Sequence, residues 1–163
     1  MAKITRIGYG QVEPNHLSAQ RTGQIYAQLP ANKDIEVLEN GMFAKYDYAK
    51  NEVNFDGEGE FMLVLNEVKL YDTLRETYKD FAMEKKNYLN GEMVPRLFKT
   101  NVGDIFTTNM IAEESVDVET KLTPNENGIL STEGAADAEM IWKVVKVYTL
   151  ADGQDAVKVQ RIK

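Results

Sequence analysis

Residues 34–68, DIEVLENGMFAKYDYAKNEVNFDGEGEFMLVLNEV, restrict the fold more than any other stretch. Short runs rich in β-branched and aromatic residues are separated by Gly-bearing turns, which is a pattern of strands. Asn40-Gly41 stands between residues 35–38 and 42–46. Asn-Gly between two such runs predicts a hairpin, because a type I′ turn needs φ > 0 at both central residues. Asp56, Gly57, Glu58 and Gly59 then separate residues 53–55 from 61–65, so an antiparallel meander is expected. Residues 61–65 are apolar without a break, as in a strand covered on both faces.

The rest of the chain is read around this β-rich centre. Residues 140–162 form a second hairpin signal, MIWKVVKVYTL and DAVKVQRI around Ala151, Asp152, Gly153 and Gln154. Lys143, Lys146, Lys158 and Arg161 there mark solvent-facing or edge positions, where charge discourages strand-to-strand aggregation. In residues 92–111, Pro95 fits an edge or strand-initial position because it cannot donate to a ladder. Val102, Gly103 and Asp104 read as a turn, and residues 105–108 as a strand. One α-helix is expected over 73–89, within the periodic stretch 70–89. Thr73 and Glu76 match a capping box, Leu70, Leu74, Tyr78 and Phe81 share one face, and Asn90-Gly91 ends it. The expected fold is mainly β, a sandwich or small barrel of antiparallel hairpins carrying that helix.

Residues 1–33 differ from the remainder of the chain. Gly8, Gly10, Pro14, Gly23 and Pro30 interrupt every periodicity, yet apolar residues recur throughout. A disordered tail would hold fewer of these. The segment reads as an extended N-terminal arm, seated on another surface or on its own domain, with 34–163 as a single β-rich body. Lys3, Arg6, Arg21 and Lys33 against Glu13 give the leader a net charge of +3, while the whole chain carries −7. Such asymmetry arises by chance in short segments, or guides docking on an acidic partner. The candidate partner-binding residues are Ile4, Arg6, Ile7, Tyr9, Val12, Leu17, Arg21, Ile25 and Tyr26.

Several functions are disfavoured by what the sequence holds. An acidic chain is a poor nucleic-acid ligand. No apolar run approaches the roughly 20 residues that span a bilayer, and MAKITRIGYG has no signal-peptide core, so a soluble, unexported protein is expected. There are no cysteines, hence no disulfides or thiolate metal sites. His16 is the sole histidine, and no nucleophile, base and orienting group can be assembled around it. Asp56, Glu58 and Glu60 could hold a cation or work as an acid–base pair, but between two strands they read as a solvated turn. Residues 112–139 carry eight acidic side chains against Lys121. That excursion reads as solvated loops with one short strand over 116–122, and it lacks the D-x-[DN]-x-[DN]-G spacing of a calcium loop. No enzyme activity, cofactor or metal is expected.

Three stretches, VLENGMFAKYDY at 37–48, VPRLFKTNVGDIFTTN at 94–109 and KVYTLADGQDAVKVQRI at 146–162, resemble small structural proteins encoded in the head gene clusters of tailed bacteriophages, chiefly those of Firmicutes. The resemblance covers most of 34–163. It implies a virion protein made in the host cytoplasm that decorates or cements the exterior of the capsid shell. The implied partners are the major capsid protein and further copies of itself as a homotrimer, with neither nucleic acid nor membrane. A head–tail connector or tail protein is the alternative, as is a β-sandwich module that recognises host glycans through Trp142 and the tyrosines.

Overall fold

The strands form where the sequence marks them most plainly. This computed structural model describes residues 2–66 and 81–163. Ala2–Lys3 (β1), Val12–His16 (β2), the helix Ser18–Thr22 (α1) and Ile25–Tyr26 (β3) occupy the leader. Val37–Glu39 (β4), Phe43–Asp47 (β5), Glu52–Asn54 (β6), Met62–Val64 (β7), Ala82–Glu84 (β8) and Leu97–Phe98 (β9) come next in chain order. Ile105–Thr108 (β10), Ser115–Val116 (β11), Lys121–Pro124 (β12), Leu130–Ser131 (β13), Trp142–Thr149 (β14) and Asp155–Arg161 (β15) complete the chain. The protein is mainly β and its strand pairs are antiparallel. One sheet has the order β13-β12-β14-β15-β10-β2, a second β3-β9-β7-β5-β6, and β1-β11 and β4-β8 are two-stranded ribbons. Among the described residues no helix is long and apolar enough to cross a membrane.

β14 and β15 form the hairpin expected from sequence. Its turn closes with Leu150 N donating to Gln154 O at 2.8 Å. A register shift between Val144 and Lys146 resets the two-residue alternation. Val144 therefore stays buried opposite Val159 while Lys146 is exposed.

The five-stranded sheet is covered on both faces, which explains the unbroken apolar run at 61–65. Phe43, Leu63 and Phe98 lie side by side in register and face the six-stranded sheet, packing with Phe106, Leu122, Trp142, Val157 and Val159. The Phe106 and Trp142 rings meet edge-on at 4.9 Å, and Phe43 lies 5.7 Å from Trp142. Such ring pairs each add about 0.5–1.5 kcal/mol to the burial of their area. The other face presents Ala44, Tyr46, Met62, Val64 and Leu97 to a second cluster with Leu38, Met83, Met93 and Met110.

Local signals were overridden in four places. The Asn40-Gly41 hairpin does not form: β4 pairs with β8, and β5 with β6 and β7. The dipeptide instead makes a buried corner between layers. Asn40 Oδ1 accepts from Asn66 N at 2.7 Å, and Gly41 N donates to Val64 O at 3.0 Å. Gly41 is required by close approach, since a Cβ there would lie 2.7 Å from Thr108 Oγ1. Nor is there a meander, because β5 lies between β6 and β7 and the chain crosses it to pass from one to the other. Gly57 permits that crossing; its Cβ would stand 2.8 Å from the Tyr46 carbonyl oxygen.

The expected helix at 73–89 is corrected over its second half, while Thr73, Glu76 and the rest of 67–80 lie outside the described residues. Ala82–Glu84 is a strand paired to β4, succeeded by 3-10 turns at Lys85–Asn87 and Leu89–Gly91. Pairing with β4 and burial of Met83 outweigh a helix propensity worth tenths of a kcal/mol per residue. The acidic excursion is likewise less solvated than expected: β11, β12 and β13 fall within it, and Val116, Leu122, Leu130 and Ala135 are buried.

The leader takes the second of its two possible seats, its own body. β2 is an edge of the six-stranded sheet beside β10, and β3 an edge of the five-stranded sheet beside β9. Ala31 bridges Val53 at the opposite edge of that second sheet. Ile4, Leu17 and Ala19 are buried in the cluster around Trp142. The composition change at residue 33 is therefore not a domain boundary, and an extended arm separate from the body is not what forms. The exposed edges of β9 and β10 offer unpaired backbone groups that the leader satisfies directly.

Candidate functional site

The leader is held by a polar seat built from four distant parts of the chain. Glu39 Oε2 at the end of β4 accepts from Gly10 N at 2.6 Å and from Arg6 Nη1 at 2.7 Å. Tyr9 OH donates to Glu84 Oε1 of β8 at 2.7 Å. Asn109 Oδ1, just past β10, accepts from Gln11 N at 2.7 Å. In the β14–β15 turn, Asp152 Oδ2 accepts from Gln11 Nε2 at 2.9 Å and Gln154 Nε2 at 2.8 Å, while Gln154 Oε1 accepts from Ile7 N at 2.6 Å. Gly10 must lack a side chain, because a Cβ would collide with the Asn40 carbonyl.

The electrostatics of this seat are set by its donors. The Tyr9 hydroxyl, and then Lys86, hold Glu84 below the usual carboxylate range. Partial burial pushes Asp152 upward, but the hydrogen bonds from Gln11, Gln154 and the backbone outweigh it and leave its pKa lowered. Arg6 and Glu39 are partly exposed, so their ion pair contributes only about 0.5 kcal/mol.

A second anchor lies at α1. Its N-cap position is Leu17, whose side chain cannot accept a hydrogen bond. Asp104, 86 residues away, substitutes: Oδ1 accepts from Ser18 N at 3.0 Å, and Oδ2 from Ser18 Oγ at 2.8 Å and Asn101 N at 3.0 Å. A carboxylate at this end of the helix also meets the exposed N–H groups of its first turn. Gly23, in the left-handed region, closes the helix, and Gln24 N donates to Ala19 O at 3.1 Å.

The nine candidate partner-binding residues do not form one outward patch. Ile4 and Leu17 are buried; Val12 and Ile25 pack half-buried against the first core and Tyr26 against the second. Tyr9 and Arg6 are engaged by Glu84 and Glu39. Ile7, 72% exposed, and Arg21 face outward. The free edge of β2 carries exposed Pro14, which has no N–H to offer an incoming strand. Beside it His16 is exposed at the strand end.

Other sequence candidates separate similarly. Asp56, Glu58 and Glu60 are exposed, and Glu60 pairs with Lys99 at 3.1 Å. Among the described residues no three His, Cys, Asp or Glu side chains converge to hold a metal ion. Trp142 is fully buried, so it cannot stack on a sugar. Sequence reasoning missed Glu39, Asn109, Asp104 and Gln154, and no local pattern could have found them: their partners lie 29 to 147 residues away. Compared with protein-family models, curated proteins and solved structures, the chain matches none.

Proposed function

We propose that this chain is a non-catalytic virion protein that decorates the exterior of a bacteriophage capsid, contacting the major capsid protein and self-associating as a homotrimer. The reading rests on the resemblance carried by residues 37–48, 94–109 and 146–162. The observation that supports it is where these stretches meet. Glu39 and Asn40, then Asn109, then Asp152 and Gln154 all converge on leader residues 7–11. A pattern scattered through the sequence thus coincides with one structural device, the seat of the leader.

Docking then works through a rigid face and not through a loose arm. The buried anchors stabilise the body, and what remains for a shell is the outer surface of the leader, where Ile7 lies between Arg6 and Gly8 and Arg21 projects from α1. Rigid docking loses less ordering entropy than a folding arm would, and many copies on a closed lattice add avidity. The test mixes purified protein with shells that lack it. Saturable binding, lost in Ile7→Asp with Arg21→Glu while the variant stays folded, is the expected result. Binding that survives both changes sinks the proposed face. Six or twelve copies per stained virion, in place of hundreds, would make it a connector or tail protein.

A further inference from the structure

Three tyrosines line an open hollow of ≈ 150 Å³ on the five-stranded sheet. Tyr46 of β5 and Met62 of β7 form its inner wall. Tyr26 of β3 meets Tyr46 edge-on, with 5.9 Å between ring centroids and 88° between planes. Tyr48, 69% exposed, stands 5.5 Å from Tyr46 at 52°. Glu60 and Lys99 line the rim as a half-exposed ion pair. We propose that this hollow binds an organic cation, a quaternary or methylated ammonium group, seated against the tyrosine rings with Glu60 as its counter-charge.

Size, charge and lining together select that chemistry. The hollow is well below the roughly 300 Å³ at which sites for drug-sized molecules begin, so it takes a head group. Tyrosine faces carry negative potential and attract cations, most of all when water is displaced. Glu60 is the one carboxylate among the lining residues, so it is the counter-charge that a cation would meet. A saccharide would need several polar groups converging on its hydroxyls. Here the Tyr46 hydroxyl is buried near the Gln28 backbone, and the rim carboxylate is already paired with Lys99. The Lys99 ammonium is the resident competitor, and a half-exposed ion pair exchanges readily. Tyr26 belongs to the leader, so the cage is complete only while β3 is paired with β9.

The experiment titrates the full chain with choline chloride and with its neutral isostere 3,3-dimethylbutan-1-ol, monitoring the tyrosine ring signals by NMR. Choline should saturate in the millimolar range and bind at least about 5-fold more tightly than the isostere. Tyr48→Ala, a surface change, should weaken choline binding by about 5-fold or more. Lys99→Ala should strengthen it by roughly 2- to 5-fold by releasing Glu60, and Glu60→Gln should weaken it. Equal binding of the isostere, unchanged binding in Tyr48→Ala, or no saturation by choline overturns the proposal. So does glucose or N-acetylglucosamine saturating the same signals more tightly, which would make the hollow a saccharide site.

Discussion

Leu17→Ala separates a leader that belongs to the core from one that merely lies against it. Leu17 is 2% exposed and packs in the cluster around Trp142. The substitution removes three carbons, and at about 0.8 kcal/mol per buried methylene the transfer contribution alone is roughly 2.4 kcal/mol. A residual cavity adds to this, within the range of about 2–5 kcal/mol for such truncations, so about 3 kcal/mol is expected. With a urea dependence near 2 kcal/mol per molar, the unfolding midpoint should fall by about 1.5 M with an unchanged slope. Ile7→Ala is the control: that side chain is 72% exposed, and its effect should stay within about 0.5 kcal/mol. Urea titrations monitored by circular dichroism and by Trp142 fluorescence measure both. A Leu17→Ala midpoint indistinguishable from that of Ile7→Ala would refute the seating of the leader in the core.

The seat should also loosen in acid. Glu84 and Asp152 have folded pKa values below their ordinary 4.5 and 3.8, so their contribution is present above those values and lost as pH falls through the lower folded ones. With the intrinsic pH dependence of amide exchange divided out, hydrogen-exchange protection at residues 7–11 should fall below about pH 4, before the β14–β15 hairpin opens; a pH response equal in Tyr9→Phe, Gln11→Ala would contradict this. Asp104→Ala should destabilise by about 2 kcal/mol, since it strips three hydrogen bonds from α1 and the turn before β10, and thermal unfolding reads the loss directly. Two glycines of equal backbone strain give a matched pair. Gly103 (φ 97°) has open space around its missing Cβ, whereas Gly41 (φ 95°) has Thr108 and Met110 within 2.8 Å. Alanine should cost about 1 kcal/mol at Gly103 and at least about 3 at Gly41, and equal losses would show that close packing at the corner is unimportant.

How legible each feature is in the sequence depends on how far its interactions reach along the chain. The hairpin at 142–161 was legible because its partners are neighbours and its alternation is long. Residues 61–65 were legible as a doubly covered strand because two buried faces demand an unbroken apolar run. Asn40-Gly41 misled because two different demands select the same dipeptide: φ > 0 in a hairpin turn, and the absence of a Cβ where Thr108 and Met110 press in. Over 81–89 the local pattern suits a helix, but β4 supplies a ladder that a single sequence does not announce. Of the candidate site, the residue types were legible and their destinations were not. Apolar anchors in a segment without periodicity prove only that it is seated somewhere, and Leu17 looks the same whether its pocket is foreign or its own.

That ambiguity bears on function. Because the anchors are internal, deleting residues 1–30 would not test docking: it removes Ile4, Leu17 and Ala19 from the core and an edge strand from each of the two larger sheets. Loss of shell binding in such a truncation would report unfolding. The informative variants are those that change the leader's outer face and leave its inner face intact. Ile7→Asp with Arg21→Glu meets that condition, since neither side chain contributes to the buried clusters. Retained thermal stability together with lost binding would assign the interface to the leader's exposed surface, whereas lost stability would mean that even this surface is part of the scaffold.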